Sequence, residues 1–175
     1  AEYHYGVPAG SMDECLTWAL ESHARPTFIT DSGDNPTGGG VGDLTHALER
    51  LIARRISRAV FASIPDPDAL DAIHRAGVGG TVSVSLGGKL DKINGKPLDV
   101  TGTVDRLAIA GAGYPFKSAH GRQAVLNVDG VKVIVTDRRT PFHYLDQFRF
   151  LRIEPSDCTL IVVKLGYLQP ELANA

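Results

Sequence analysis

One glycine-rich stretch, residues 31–43, holds most of the candidate chemistry of this chain. Its sequence is Asp-Ser-Gly-Asp-Asn-Pro-Thr-Gly-Gly-Gly-Val-Gly-Asp. Glycines let a backbone approach a ligand closely, and the free N–H groups at the start of a following helix carry partial positive charge. Asn35 precedes Pro36, which favours an extended backbone at Asn35 and projects its side chain from the turn. The stretch therefore predicts a platform for a polar ligand.

The spacing of this stretch excludes two common phosphate motifs. No Gly-Lys-Ser/Thr ends it, and its glycines do not fit the Gly-x-Gly-x-x-Gly fingerprint of dinucleotide-binding proteins. Asp31, Asp34 and Asp43 also crowd the loop, and their charges would repel a phosphate unless a cation lay between them. Three interpretations stay open: a wall of a polar substrate pocket, a contact to a metal held elsewhere, or a structural turn.

Basic residues follow three of the predicted strands. Gly87-Gly88-Lys89 comes after a strand that we expect to be parallel, and ligands of open α/β sheets bind beyond the carboxyl ends of strands. We expect this turn at the same edge as the glycine-rich loop, where Lys89 would offset the loop carboxylates or hold a substrate carboxylate. A solvated lysine is the alternative, and the same two readings apply to Lys164. Arg138 and Arg139 fit a solvated basic turn better than a carboxylate grip.

The remaining nucleophile and metal-ligand candidates form no recognisable set. The six histidines show no His-x-x-x-His or His-x-His spacing, although His120 and His143 flank a predicted hairpin and could converge. No Gly-x-Ser-x-Gly elbow is present. Cys15 and Cys158 make no zinc-ribbon or disulfide framework, and we interpret them as buried, reduced thiols. The residues alone predict no self-contained catalytic set.

Length and composition predict one folded domain over residues 1–175. The formal net charge of −2 and the isoelectric point near 6.3 argue against a nucleic-acid or membrane-surface binder. No apolar run has the 18 or more residues of a membrane helix, and the first residues lack the features of a signal peptide. We therefore expect a cytoplasmic protein. The missing initiator methionine predicts a processed chain or a piece of a larger one.

The elements of the first half alternate between helix and strand. A helix is predicted over residues 11–22, with Ser11 as its N-cap and Glu14 completing a capping box. Asp43 is the predicted cap of a second helix, and Gly77 the end of a third. The predicted strands are 27–30, 59–64 and 81–86. This order is typical of a βαβαβ unit with parallel pairing.

The second half changes to antiparallel patterns. Asp129-Gly130 is a strong two-residue hairpin signal between two of its strands. The predicted elements are strands 98–107, 122–128, 131–137 and 160–163 and a short helix over 144–151. The predicted fold class is therefore α/β, a mixed sheet with a parallel N-terminal part and antiparallel strands with a hairpin in the C-terminal half.

The glycine-rich run at 31–43 resembles the hallmark loop in the C-terminal domain of the microcystinase C (MlrC)-type metallopeptidases. Further similar segments follow in the family's order and, with the loop, cover most of residues 27–172. They are the glycine-punctuated entry at 76–80 with the strand and turn at 81–89, the segment 97–102, the strand at 133–139 that ends in Thr-Asp-Arg-Arg, and the closing segment 162–172.

The resemblance implies a two-domain, metal-dependent hydrolase with zinc as the expected metal, and with its metal ligands in an N-terminal domain that no segment here resembles. We therefore carry over no metal ligand and no general base. In such an enzyme a metal-bound water attacks the amide, and the metal polarises its carbonyl. The expected partners are that domain and a peptide or amide substrate, and a homo-oligomer is possible. The residues carried over, as a wall of the cleft, are Asp31, Asp34, Asn35, Pro36, Gly38, Gly39 and Gly40, with Lys89 to neutralise charge.

A second class of function stays open beside this one. The chain could be a non-catalytic binding or assembly module that recognises a small anion through the glycine-rich loop. Anion-dependent thermal stabilisation of the isolated chain would favour that reading.

Overall fold

The computed structural model describes residues 7–111 and 121–175. The α-helices are α1 (Met12–Glu21), α2 (His46–Ala53), α3 (Pro67–Ala76), α4 (Leu145–Phe150) and α5 (Pro170–Ala173), and one 3-10 turn covers Pro155–Asp157. The strands are β1 (Thr27–Thr30), β2 (Ala59–Pro65), β3 (Thr81–Leu86), β4 (Leu98–Ala110), β5 (Gly121–Val128), β6 (Val131–Thr136) and β7 (Leu160–Val163). Within these ranges, no helix has the length and apolar character needed to cross a membrane.

All seven strands form one mixed sheet in the order β1-β7-β2-β6-β5-β4-β3. The strands β1, β7, β2 and β6 run parallel, whereas the β6–β5, β5–β4 and β4–β3 pairs are antiparallel. The predicted fold class is thereby confirmed. The last strand, β7, lies between β1 and β2, so a segment near the C-terminus joins the two strands of the first half.

Apolar side chains cover both faces of the sheet. One face carries the larger core, in which Leu16, Leu48 and Leu70 of the first three helices pack against β-strand residues such as Phe61. The other face carries a smaller core around Phe142 and Phe148, which α5 extends with Leu172. The sheet therefore lies between two layers. This leaves its edge at the carboxyl ends of β1, β7, β2 and β6 as the place where loops gather.

Of the two predicted helix N-caps, one is confirmed and the other is wrong. Ser11 and Glu14 form the predicted capping box of α1. The prediction that Asp43 caps the second helix is wrong, because α2 begins at His46 and its N-cap position is Thr45, which makes no side-chain cap. The carboxylate of Asp43 instead accepts hydrogen bonds from the 87–91 loop, which is far away in sequence.

A hairpin turn, the pairing of an edge strand and a bulge shape the antiparallel half. Asp129 and Gly130 both have positive φ, of 50° and 88°, so they form the predicted hairpin turn. The strand before Gly87 is antiparallel and not parallel, since β3 pairs only with β4 at the edge of the sheet. A register shift between Val104 and Arg106 marks a bulge in β4, and bulges bend strands.

Candidate functional site

The candidate site is the edge at the carboxyl ends of the parallel strands. Asp31 follows β1, Lys164 follows β7 and Asp66 follows β2. Because Thr30 pairs with Val163, the chain places Asp31 and Lys164 side by side. The glycine loop, which we define as residues 31–43, starts here and returns to α2.

A buried lysine holds the base of the glycine loop. The Nζ of Lys164 donates to Oδ2 of Asp34 and to the carbonyl oxygens of Gly42 and Leu44, each at 2.7 Å. Its side chain is 2% exposed and that of Asp34 is 3% exposed. The ammonium also lies 5.2 Å from the centre of the Phe61 ring, within cation–π range. Lys164 is therefore the cation that offsets a loop carboxylate, a role that the sequence left open for both Lys89 and Lys164.

Both carboxylate oxygens of Asp34 are occupied by hydrogen bonds within the protein. Its Oδ1 accepts from the N–H of Gly42 at 2.7 Å, and its Oδ2 accepts from the N–H of Leu44 at 2.8 Å as well as from Lys164. Burial lowers the pKa of Lys164, and Asp34 and Asp31 oppose that shift. Three acceptors around Nζ match the three donors of an ammonium, so we assign the charged form. Asp34 and Lys164 together fix the backbone at the base of the glycine loop.

The rim of the loop faces outward. Thr37, Gly38 and Gly39 are exposed, and Asn35 is partly exposed. The Oδ1 of Asn35 accepts from the N–H of Thr37 at 2.9 Å and from its hydroxyl at 2.7 Å. The main-chain oxygen of Asn35 accepts from Gly38 and Gly40 at 3.0 and 2.9 Å. Among the described residues, the Nδ2 of Asn35 has no hydrogen-bond partner, so it is the donor that this side chain can offer to a ligand.

Position 40 requires glycine, because the backbone of Asn35 passes close to it. A Cβ at Gly40 would lie 2.8 Å from the nitrogen and 2.9 Å from the oxygen of Asn35. Gly39 differs, because its φ is +98° and nothing lies within 4 Å of its Cβ position. Glycine therefore allows a close backbone contact at position 40 and a left-handed backbone at position 39.

A second loop, which we define as residues 87–91, is tied to the glycine loop. The Oδ2 of Asp43 accepts from the N–H groups of Lys89 and Leu90 at 2.8 and 2.7 Å, and its carbonyl oxygen accepts from Gly88 at 2.8 Å. The two loops therefore share one edge, as the sequence predicts. The cause differs from the expected one, since the strand before the 87–91 loop is antiparallel.

Lys89 pairs with a residue that the sequence analysis did not single out. Its Nζ lies 2.8 Å from the carboxylate of Asp66, not against a carboxylate of the glycine loop. Asp66 also caps α3 through Ala69 and accepts from Gly87. Its side chain is 1% exposed, whereas that of Lys89 is 34% exposed. The sequence feature that could have indicated Asp66 is an aspartate that directly follows a buried strand and precedes a helix beginning with proline.

Burial perturbs the protonation of Asp31, the carboxylate that follows β1. Burial raises the pKa of Asp31 above its ordinary 3.8, with a further rise from Asp34, and Lys164 opposes both. A half-buried carboxyl with a raised pKa beside other charged groups marks a functional-site candidate. Asp31 is therefore a candidate for holding a proton at this edge.

We expect Asp31→Asn to stabilise the protein at neutral pH. A raised folded-state pKa favours the protonated carboxyl, so ionisation of Asp31 costs stability as pH rises through that pKa. The gain of the variant should shrink on acidification and vanish below pH 3.8. Urea denaturation between pH 3.5 and about 7.5 measures this difference. Asp99→Asn, at an exposed position of β4, is the control, and equal pH profiles for the two variants would contradict the expectation.

The other basic candidates, Arg138 and Arg139, do not join this cluster. Arg138 binds Asp137 through Nε at 3.2 Å and has a side chain that is 60% exposed, and Arg139 is exposed as well. His120 lies outside the described residues, so its predicted convergence with His143 stays a prediction.

The carboxylates of this edge do not fit a metal ion. Both oxygens of Asp34, Asp43 and Asp66 already accept hydrogen bonds from N–H groups or a lysine. In residues 7–111 and 121–175, no group of three or more His, Cys, Asp or Glu side chains lies close enough to hold a metal. Two concavities, of ≈ 310 and ≈ 170 Å³, are lined by β3 with β4 and by β4 to β6, and neither is lined by the glycine loop.

Comparison with known proteins agrees with the loop-bearing fold. The family profile described as MlrC C-terminus matches residues 29–175. Microcystinase C from Sphingomonas sp. is 30% identical over 163 residues, which are 90% of this chain and 31% of that protein. The crystal structure of a candidate metallopeptidase from Mesorhizobium sp. BNC1 has a TM-score of 0.80 at 24% identity over 96% of this chain and 35% of its own, and shows the same fold. The chain thus spans about a third of the length of these relatives, and it belongs to the MlrC C-terminus family.

Proposed function

We propose that this chain is the substrate-side domain of a metal-dependent hydrolase of peptides or other amides. Its glycine loop would line a cleft that the rest of a longer protein completes. The observation that carries the proposal is the pre-organised loop, in which Lys164 and Asp34 fix the base while the rim from Asn35 to Gly39 stays open. Family membership and the share of the relatives that this chain spans support a partner domain.

The metal, which we take to be zinc, would be held by that other domain. A zinc ion supplies an activated water and polarises the scissile carbonyl. The residues of this chain would bind and orient the substrate and exclude water. The Nδ2 of Asn35 would donate to a substrate carbonyl, with Pro36 and the exposed Gly38 and Gly39 as the adjoining wall. Asp31 would hold or release a proton beside it.

The anion-binding alternative is not favoured by the loop geometry. The N–H groups of Thr37, Gly38 and Gly40 are turned inward to Asn35, and those of Gly42 and Leu44 to Asp34. An anion cradle needs such groups free and convergent. A polar substrate group that accepts from one side-chain amide fits this rim better.

In the longer protein, we expect Asn35→Ala to lower kcat/KM about tenfold without changing bound zinc, because one hydrogen bond to the substrate is lost. Asn35→Asp keeps the acceptor for Thr37 but replaces the amide donor with a negatively charged oxygen, so it should lose at least as much activity. Asn174→Ala, at an exposed position of the last turn, is the control. Peptidase assays and zinc analysis measure the effects. Wild-type activity in both Asn35 variants would make the loop purely structural.

A further inference from the structure

A positively charged concavity lies away from the glycine loop, where β4, β5 and β6 meet the segment that follows α4. Its volume is ≈ 170 Å³, its floor includes the buried Val125 and Ile153, and the exposed Val78 contributes apolar surface at its side. Three cationic side chains, Arg106, Lys132 and Arg152, line it together with a single carboxylate, Asp105. It shares no lining residue with the site described above.

The bulge in β4 lies at Arg106, which lines this concavity. The register shift between Val104 and Arg106 brings Arg106 opposite Val125 of β5. Bulges re-aim side chains, and they are frequent beside binding sites. The Nε of Arg106 is buried and has no hydrogen-bond partner among the described residues. A buried donor without a partner is unfavourable, so an acceptor supplied by a ligand would relieve it.

The cations of this concavity also lack protein counter-charges. In the described part of the chain, Arg106, Lys132 and Arg152 form no ion pair, whereas Arg54, Arg122, Arg138 and Arg149 each pair with a carboxylate. Asp105 is exposed, and its polar contact is a long one, 3.5 Å from the Nδ2 of Asn127. Three positive groups against one negative group attract anions into a concave surface.

We propose that this concavity binds a small organic anion, with a phosphate or carboxylate group on a short apolar skeleton. Two guanidinium groups offer planar, paired donors that match either anion, and Lys132 adds a third cation. Val78, which also lines the concavity and is exposed, accepts the apolar part. The volume is well below the roughly 300–1,000 Å³ of pockets for drug-sized ligands, so the ligand is small.

The decisive variant is Arg152→Gly. Arg152 has a φ of +58°, a left-handed backbone that glycine adopts readily, so the variant removes a pocket cation without straining the fold. Arg55→Gly is its matched control, because Arg55 has a φ of +52°, is exposed and lies outside the concavity. Both variants lose one positive charge from a left-handed turn residue.

The chain and both variants are titrated with inorganic phosphate and, separately, with succinate at constant ionic strength, by calorimetry and by amide shifts of Val125 and Ile153. We expect saturable binding, about tenfold weaker in Arg152→Gly and unchanged in Arg55→Gly. Tighter binding of phosphate identifies a phosphoryl ligand, and tighter binding of succinate a carboxylate ligand. The proposal is overturned if neither anion saturates up to about 10 mM, or if the two variants bind equally.

Discussion

Replacing Lys164 with Met should lower the free energy of unfolding by roughly 3–5 kcal/mol, because the change leaves the carboxylate of Asp34 buried without its cation. It also removes the donor to the carbonyl oxygens of Gly42 and Leu44, so the base of the glycine loop loses three contacts. Urea denaturation followed by circular dichroism measures the loss.

The matched control is Lys92→Met, the same change at an exposed lysine. Surface substitutions of this kind stay within about 0.5 kcal/mol. The double variant Lys164→Met with Asp34→Leu should recover part of the stability, since removal of both charges leaves no unpaired buried group. Equal stability of Lys164→Met and Lys92→Met would show that the ion pair does not hold the loop.

Gly87→Ala should cost roughly 3 kcal/mol of stability and separate the two loops. Its φ is +57°, and a Cβ there would lie 2.3 Å from the carbonyl oxygen of Asp43. Both the left-handed backbone and the overlap with a main-chain atom are unfavourable, and the overlap has no flexible side chain to relieve it. Because the carbonyl of Asp43 accepts from Gly88, the clash falls on the contact that joins the loops.

Gly111→Ala provides the comparison for this change, because no atom of the described residues lies within 4 Å of its Cβ position and its φ is not positive. Thermal unfolding and amide hydrogen exchange of the 87–91 loop measure the two effects. We expect faster exchange at Lys89 and Leu90 in Gly87→Ala only. If Gly87→Ala unfolds at the same temperature as Gly111→Ala, the loops are not coupled through this contact.

Short-range signals predicted the elements well, whereas long-range pairing was beyond them. The capping box of Ser11 and the Asp129-Gly130 turn depend on neighbours within three residues, and both form as expected. The insertion of β7 between β1 and β2 depends on segments far apart in sequence, so no local pattern indicates it. The same limit explains why β3 was expected to be parallel.

For the candidate site as well, the sequence indicated local features but not the contacts between distant segments. The sequence marked residues 31–43 as the chemical centre, and it placed Lys89 at the correct edge. It did not distinguish the two lysines, because only the fold shows that Lys164 lies under the loop and that Lys89 meets Asp66. Charge crowding correctly indicated a need for a cation, but its identity depends on the pairing of β1 with β7.

Zinc analysis tests the central claim most directly, by comparing this chain of residues 1–175 with the longer protein that we propose contains it. Both would be dialysed against metal-free buffer after exposure to zinc. We expect much less than one zinc per molecule for the 175-residue chain and about one or more for the longer protein. Stoichiometric zinc held by the 175-residue chain alone would contradict the proposal that the metal belongs to another part of the protein.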